Sequence, residues 1–427
     1  MPWYWWIVLA SFLRPGVELL MVATGEWWFH ARFRRNPTRF SQLIIQITTV
    51  GLEHARVNEI IWEIHAYELS MPYEVWVVNE PGMINDYPGA DRVITVDPDF
   101  TSVCQYKARA LEYSRLIRQR EGLARDDVKI LFLDDDTSPT APYIETAFAA
   151  DYDLSQGVTT PRIKYGAGPL RHFLLSHMDD MRFLGCFIYC SFFQGVVGKP
   201  LYVHGEGLCV TGNAERVATW TYPIFTSEEP VYGHRAAYKG LTEDLVFGTN
   251  AASRGLKWGF FHEYIQLTSP WTWSAFMKQR RRWLWGNIHA VTRRGILPMW
   301  SAMLVAAKYS LGFITFGLSL TAVVLNFIGV LHPPESLFPW FYASLVAWLG
   351  GFALSGWINS AQLDQEVGIK WRYYVNRLLH AAAAVLLCPV TIIWTCVAMI
   401  IVYFMGNPGS FEVIAKTAES AEKEFVT

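Results

Sequence analysis

The stretch "VKILFLDDDT", residues 128–137, decides the fold. Its first six positions are an apolar run of strand length interrupted only by Lys129, and the run stops abruptly in three carboxylates. This is the pattern of a buried strand that delivers polar groups at its carboxyl end. Side chains alternate along an extended chain, so Asp134 and Asp136 are expected to project the same way and share one hard cation, Mg2+ or Mn2+. A diphosphate would complete the oxygen shell of such an ion. An isolated pair of this kind also reads as a solvated acidic turn or a helix cap. Its place directly after an apolar strand favours chemistry.

Upstream, "SQLIIQITTV" (41–50) and "YEVWVVNE" (73–80) are further runs of strand length. A helical pattern over 53–69 separates them, and another over 107–121 precedes residue 128. Strand, helix, strand, helix, strand predicts an α/β domain with a parallel sheet and right-handed crossovers. Ligands in such sheets collect beyond the carboxyl ends of the strands. No GxGxxG follows any of these strands and no GxxxxGK[ST] occurs, which argues against dinucleotide-binding dehydrogenases and P-loop enzymes.

Of 427 residues, 52% are hydrophobic and 17% charged, too apolar for an ordinary soluble enzyme. The net charge of -2 provides no basic field for a nucleic-acid partner. Six scattered cysteines without a CxxC pair read as reduced packing residues rather than as a metal site or disulfide framework. Three runs, Ser301 to Val330, Leu337 to Ile358 and Leu378 to Met405, each exceed the roughly 20 apolar residues that cross a hydrocarbon core. They predict three transmembrane helices within 301–405, followed by a tail, 406–427. Residues 1–30 lack the basic start and cleavage site of a signal peptide and are interrupted by Arg14, Pro15 and Glu18. They read as a retained span or an interfacial helix. Basic flanks at 31–39, 278–294 and 370–377 contrast with a link, 332–336, that has no Lys or Arg. The positive-inside rule then places a catalytic domain, 40–268, on the cytoplasmic side of an integral membrane protein.

Three further motifs stand in order along the chain. "KARALEY" (107–113) puts Lys107 and Arg109 near a helix start, where an anion gains from both charge and dipole. "KGLTEDLVF" (239–247) sets Thr242, Glu243 and Asp244 before a helical start, a pattern that alone is explained by capping. "MKQRRRWLWGN" (277–287) lies in a segment, 269–296, that reads as an amphipathic interface helix. Arginine forks suit phosphate oxygens. The same residues also satisfy the positive-inside rule, with Trp283 and Trp285 as an aromatic belt.

Their order resembles the motif set of membrane-bound family-2 glycosyltransferases: a strand ending in a carboxylate, then "KARAL", DxD, "TED" and "QxxRW" ahead of membrane helices. Within that family the chain is most similar to the egghead-type β-1,4-mannosyltransferases, through "KARALEY", "SQGVTT" (155–160), "MDDMRFLG" (178–185), "TED" and "SPWTWSAFMKQRRRWLWG" (269–286). The resemblance implies a Rossmann-like GT-A fold plus an α-helical transmembrane region, and inverting transfer of a hexose, with GDP-mannose favoured over a UDP-hexose. It implies nucleotide-sugar contacts at Thr49, Glu80, Lys107, Arg109, Asp134, Gln279, Arg282 and Trp283, a metal on Asp134 and Asp136, and Asp244 as the base. Acceptor contacts would fall on Glu206, Gly207, Glu243 and Trp283, for a lipid-linked or glycolipid acceptor among membrane lipids. Arg280 and Arg281 are left as mostly membrane-facing charge.

The chain departs from the pattern at Asn79 and Glu80, where an aspartate is usual, at "HGEGLCVTG" (204–212), with its additional Glu206, and at "HEYIQLT" (262–268). Those differences bear on donor and acceptor more than on reaction type. A processive polysaccharide synthase using a UDP-hexose is the enzymatic alternative, and an inactive scaffold of an export complex the non-enzymatic one. Counting an N-terminal span with the three later ones puts both chain ends outside. "FEVIAKT" (411–417), however, resembles tail segments that lie near the cytoplasmic site.

Overall fold

The computed structural model describes residues 3–82, 86–102, 104, 107–161, 175, 177, 179, 181–221, 242–292, 295–330, 332, 334–361 and 370–405. The "FEVIAKT" segment lies outside them. Eight strands form one sheet: β1 (Gln42–Thr49), β2 (Tyr73–Asn79), β3 (Arg92–Thr95), β4 (Val128–Asp134), β5 (Thr137–Pro139), β6 (Leu154–Pro161), β7 (Leu208–Thr211) and β8 (Trp258–Leu267), in the order β3-β2-β1-β4-β7-β6-β8-β5. The half made of β3, β2, β1 and β4 is parallel; β1, β2 and β4 with helices His54–His65 and Lys107–Arg120 follow the sequence reading, while β3 is an addition to it.

The other half corrects the expectation of a parallel sheet. β7 runs antiparallel to β4, β6 antiparallel to β7, β8 parallel to β6, and β5 antiparallel to β8. This is the mixed sheet of a GT-A fold. β5 and β7 are too short to show a period. The sequence of β6, "LSQGVTTP", is polar although every residue of it is buried. Two of its polar side chains are satisfied by backbone carbonyls: Gln156 Nε2 donates to that of His204 at 2.6 Å, and Thr160 Oγ1 to that of Ile265 at 3.3 Å.

Alternation divides the core. Leu43, Ile45 and Ile47 face the helix His54–His65, which buries Val57, Ile60, Ile61 and Ile64 at helical spacing. Ile44 and Phe132 face the opposite layer, where Ala110, Leu111, Phe247 and Ala251 come from two helices. Each such buried aliphatic or aromatic side chain contributes about 1.5–3 kcal/mol relative to exposure. The register brings the carboxyl ends level: Thr49 is opposite Asn79, and Thr48 opposite Asp134. Thr49, Glu80 and the three aspartates therefore emerge along one edge of the sheet.

The N-terminal segment is a single helix, Trp3–Arg32, with Pro15 inside it. The charges that interrupt its sequence are partnered, since Arg14 Nε lies 2.7 Å from Glu18 Oε1 and Arg14 Nη2 donates to the Tyr189 hydroxyl at 3.1 Å. The C-terminal part contains helices Met299–Phe327, Phe338–Ala361 and Lys370–Met405. Among the described residues, Val8–Arg32 and Glu335–Ser360 are long and apolar enough to cross a membrane.

Candidate active site

The site is built around Lys107, the first residue of its helix. Its ammonium forms an ion pair with Asp134, the last residue of β4, and lies 3.8 Å from Glu243 Oε1. Burial opposes the Lys107 charge, but Asp134 and Glu243 hold its pKa above the usual lysine value. Glu243 and Asp244 open the helix Glu243–Ser253, and the Leu245 amide donates to Asp244 Oδ1 at 2.8 Å. Burial first, then repulsion from Glu243, pushes the Asp244 carboxyl up to about 7 against the pull of Lys107. Burial also raises Glu243, with Lys107 and Arg282 among the cations that draw it back.

Chain direction turns sharply after Asp134. Asp135 and Asp136 occupy a turn before β5 rather than continuing the strand, so simple alternation does not describe them. Thr49 Oγ1 donates to Asp135 Oδ2 at 2.9 Å and accepts from the Gly51 amide at the same distance. Burial and repulsion from Asp136 push Asp135 up to about 7, and burial raises Asp134 despite Lys107. The Thr268 amide and hydroxyl, both 3.2 Å from the Asp136 carbonyl, fix the far side of the turn. Crowded acids at a strand end, their charges opposed by burial and mutual repulsion, are a donor set that a hard divalent cation fits, because the ion relieves the repulsion.

Glu206 and Gly207 lie in the loop before β7. Glu206 pairs with Arg182, a residue that sequence reasoning did not single out. Burial would raise Glu206, but Arg182 and His204 bring it below the ordinary carboxylate value. The glycines of "HGEGLCVTG" have separate causes. A Cβ on Gly205 would stand 2.7 Å from Lys107 Nζ, while Gly207 has φ +76° and its carbonyl accepts from the Tyr143 hydroxyl at 2.7 Å.

Thr272 starts the helix Trp273–Thr292, its hydroxyl accepting from the Ala275 amide at 3.1 Å. Gln279 is buried, and its side-chain carbonyl oxygen has no hydrogen-bond partner among the described residues. The guanidinium of Arg182 lies 4.9 Å from the centre of the Trp283 ring and that of Arg280 4.8 Å. Arg280 is not the lipid-facing charge expected from sequence. It is mostly buried, stacks on Phe276 at 4.6 Å, and pairs with the buried Asp179, which also accepts from Ser269 Oγ at 3.1 Å. Asp179 was missed because its signal is one acid in "MDDMRFLG". Glu80 and Arg109 form their own pair, 3.2 Å apart, beyond the end of β2, and burial raises the Glu80 carboxyl against Arg109.

The β-1,4-mannosyltransferases bre-3 of Caenorhabditis elegans and Caenorhabditis briggsae are each 25% identical to this chain over 332 residues, covering 75% of it and 65% of the relative. The chain thus spans slightly less than two-thirds of these relatives. Among solved structures, the mannosyltransferase PcManGT from Pyrobaculum calidifontis, in complex with GDP-Man and Mn2+, aligns with a TM-score of 0.46 and 15% identity over 90% of this chain and 97% of that one. The pattern of Glycosyl transferase family group 2 matches residues 129–411, more than half of the chain, and this protein belongs to that family of glycosyltransferases.

Proposed function

We propose that this protein transfers a hexose, with inversion, from a nucleotide sugar to a glycolipid-type acceptor at the membrane surface. The favoured donor is GDP-mannose, because the curated relatives are β-1,4-mannosyltransferases. The carrying observation is the position of Asp244, a partly buried carboxyl pushed up to about 7 and one residue from Glu243, which shares Lys107 with Asp134.

Inversion needs one base opposite the leaving group. Asp244, ionised, takes the proton of the acceptor hydroxyl as that oxygen attacks the sugar C1 carbon and the bond to the diphosphate breaks. Its helix N-terminal position and raised pKa keep it close to half-ionised near neutrality. Lys107, Arg182 and Arg282 supply positive charge in the same site, and Gln279 offers a buried carbonyl oxygen to a donor or acceptor hydroxyl. Asp134 and Asp136 would hold a divalent cation, Mg2+ or Mn2+, which supplies charge against the departing diphosphate when bound. Thr49, Glu80 and Arg109 line the strand edge where the nucleotide would lie. Glu206, Gly207, Glu243 and Trp283 stand on the acceptor side, next to the helix Trp273–Thr292 that leads towards Met299–Phe327. This reading keeps the domain on the cytoplasmic face, anchored by its flanking helices.

The test is a donor panel with purified protein in lipid, with and without a chelator. We expect transfer from GDP-mannose, one sugar per acceptor, lost with chelator and restored by Mn2+ or Mg2+. Use of a UDP-hexose in its place, or a polymeric product, would replace this reading with the synthase alternative.

A further inference from the structure

Behind the acceptor loop, three soft ligand atoms converge. Cys186 and Cys190 lie one turn apart at the start of the π-helical segment Cys186–Val196, and His204 reaches them from the loop before β7. The two Sγ atoms and a ring nitrogen of His204 all lie within 4.8 Å of one another. His204 Nε2 is 3.2 Å from Cys186 Sγ and 3.4 Å from Cys190 Sγ. A tetrahedral zinc ion with its usual bond lengths sets sulfur and nitrogen about 3.6 Å apart, so shifts of a few tenths of an ångström would seat one.

We propose that Cys186, Cys190 and His204 bind a zinc ion, separate from the cation at Asp134 and Asp136. The donor set suits that ion, since thiolate and imidazole favour zinc whereas Mg2+ and Mn2+ favour carboxylate oxygens. Charge supports it too. Two thiolates and a neutral imidazole neutralise a divalent ion, which matches the apolar packing by Val158, Phe183 and Phe260. The ligands are held from outside: Thr159 Oγ1 lies 2.9 Å from Cys186 Sγ, and Gln156 clamps the His204 backbone, accepting from its amide at 3.2 Å and donating to its carbonyl at 2.6 Å. Three protein ligands leave the fourth position for a water or the Thr159 hydroxyl.

Placement gives the ion a role. Arg182 precedes Cys186 by one turn, and Glu206 follows His204 by two residues, so the metal would staple together the two segments that carry the Arg182–Glu206 pair beside Trp283. It would set the acceptor side without touching substrate.

The experiment uses full-length protein purified in detergent without added metal. Elemental analysis should find one zinc per chain, released by a mercurial thiol reagent. Exchange with Co2+ should produce a thiolate-to-cobalt charge-transfer band, which carboxylates cannot give. Cys190→Ser should lose ion and band, and Asp136→Asn should keep both. Absence of stoichiometric zinc together with no charge-transfer band on titrating Co2+ into the wild-type protein would overturn the proposal. So would a Cys186–Cys190 disulfide in peptide mapping, or undiminished zinc in Cys190→Ser. The wild-type titration decides the matter even if the variant does not fold.

Discussion

Lys107 Nζ lies 3.8 Å from Glu243 Oε1 while also paired with Asp134, so one cation joins the end of β4 to the helix that carries Asp244. Lys107→Met removes that charge and leaves the partly buried Asp134 and Glu243 uncompensated. We expect it to destabilise the domain by about 1–3 kcal/mol, below the cost of breaking a fully buried pair because solvent reaches Asp134. Thermal unfolding with and without Mn2+ checks this, and a shift of under about 0.5 kcal/mol, the range of ordinary surface substitutions, would show Lys107 to be dispensable.

The Asp244 carboxyl, ordinarily at 3.8 and here pushed to about 7, must be ionised to act as a base. Transfer should therefore rise with pH, with an inflection near 7 in kcat/KM. The sign for stability is opposite. The native state binds the proton more tightly than the unfolded chain, so the stability contributed by protonated Asp244 is present below its unfolded value and lost as pH rises towards 7. A kcat/KM profile flat from pH 5 to 8 would contradict the assignment.

Asp179 and Arg280 make a second test. Asp179→Asn strands the mostly buried Arg280 guanidinium, and we expect a loss of about 3–5 kcal/mol in denaturant unfolding. Asp179→Asn combined with Arg280→Met should recover part of that loss, and strict additivity of the two changes would show that the residues are not coupled.

The parallel pairing of β1, β2 and β4, and the acids that meet Lys107, left local signals in the sequence. Apolar runs of strand length ended in acids, and a helix began at Lys107. β6 was hidden by its polar residues, and β5 and β7 by their shortness. The partners of the site are long-range: Arg182 finds Glu206, and Arg280 finds Asp179 101 residues away. A charge run in sequence carries no mark of which arginine turns inward. The approach of His204 to Cys186 and Cys190 left no local mark either, since His204 stands 14 positions beyond Cys190.

The two loop glycines should separate function from stability. At Gly205 an added Cβ would crowd the flexible end of Lys107 at 2.7 Å and lie in ordinary contact with Asp244, its Oδ2 at 3.7 Å, so Gly205→Ala should fold normally yet transfer poorly. Gly207→Ala forces φ +76° on an L-residue and should cost about 1–2 kcal/mol from the left-handed backbone alone, read by thermal unfolding. Equal effects of the two on both readouts would refute this division.

The most direct test compares wild-type and Asp244→Asn protein for transfer of labelled mannose from GDP-mannose to a glycolipid acceptor, with donor binding measured on the same samples. We expect wild type to form a β-linked product, and Asp244→Asn to bind the donor nearly as well while transferring roughly 100- to 10,000-fold more slowly. Transfer by Asp244→Asn at close to the wild-type rate would contradict Asp244 as the base.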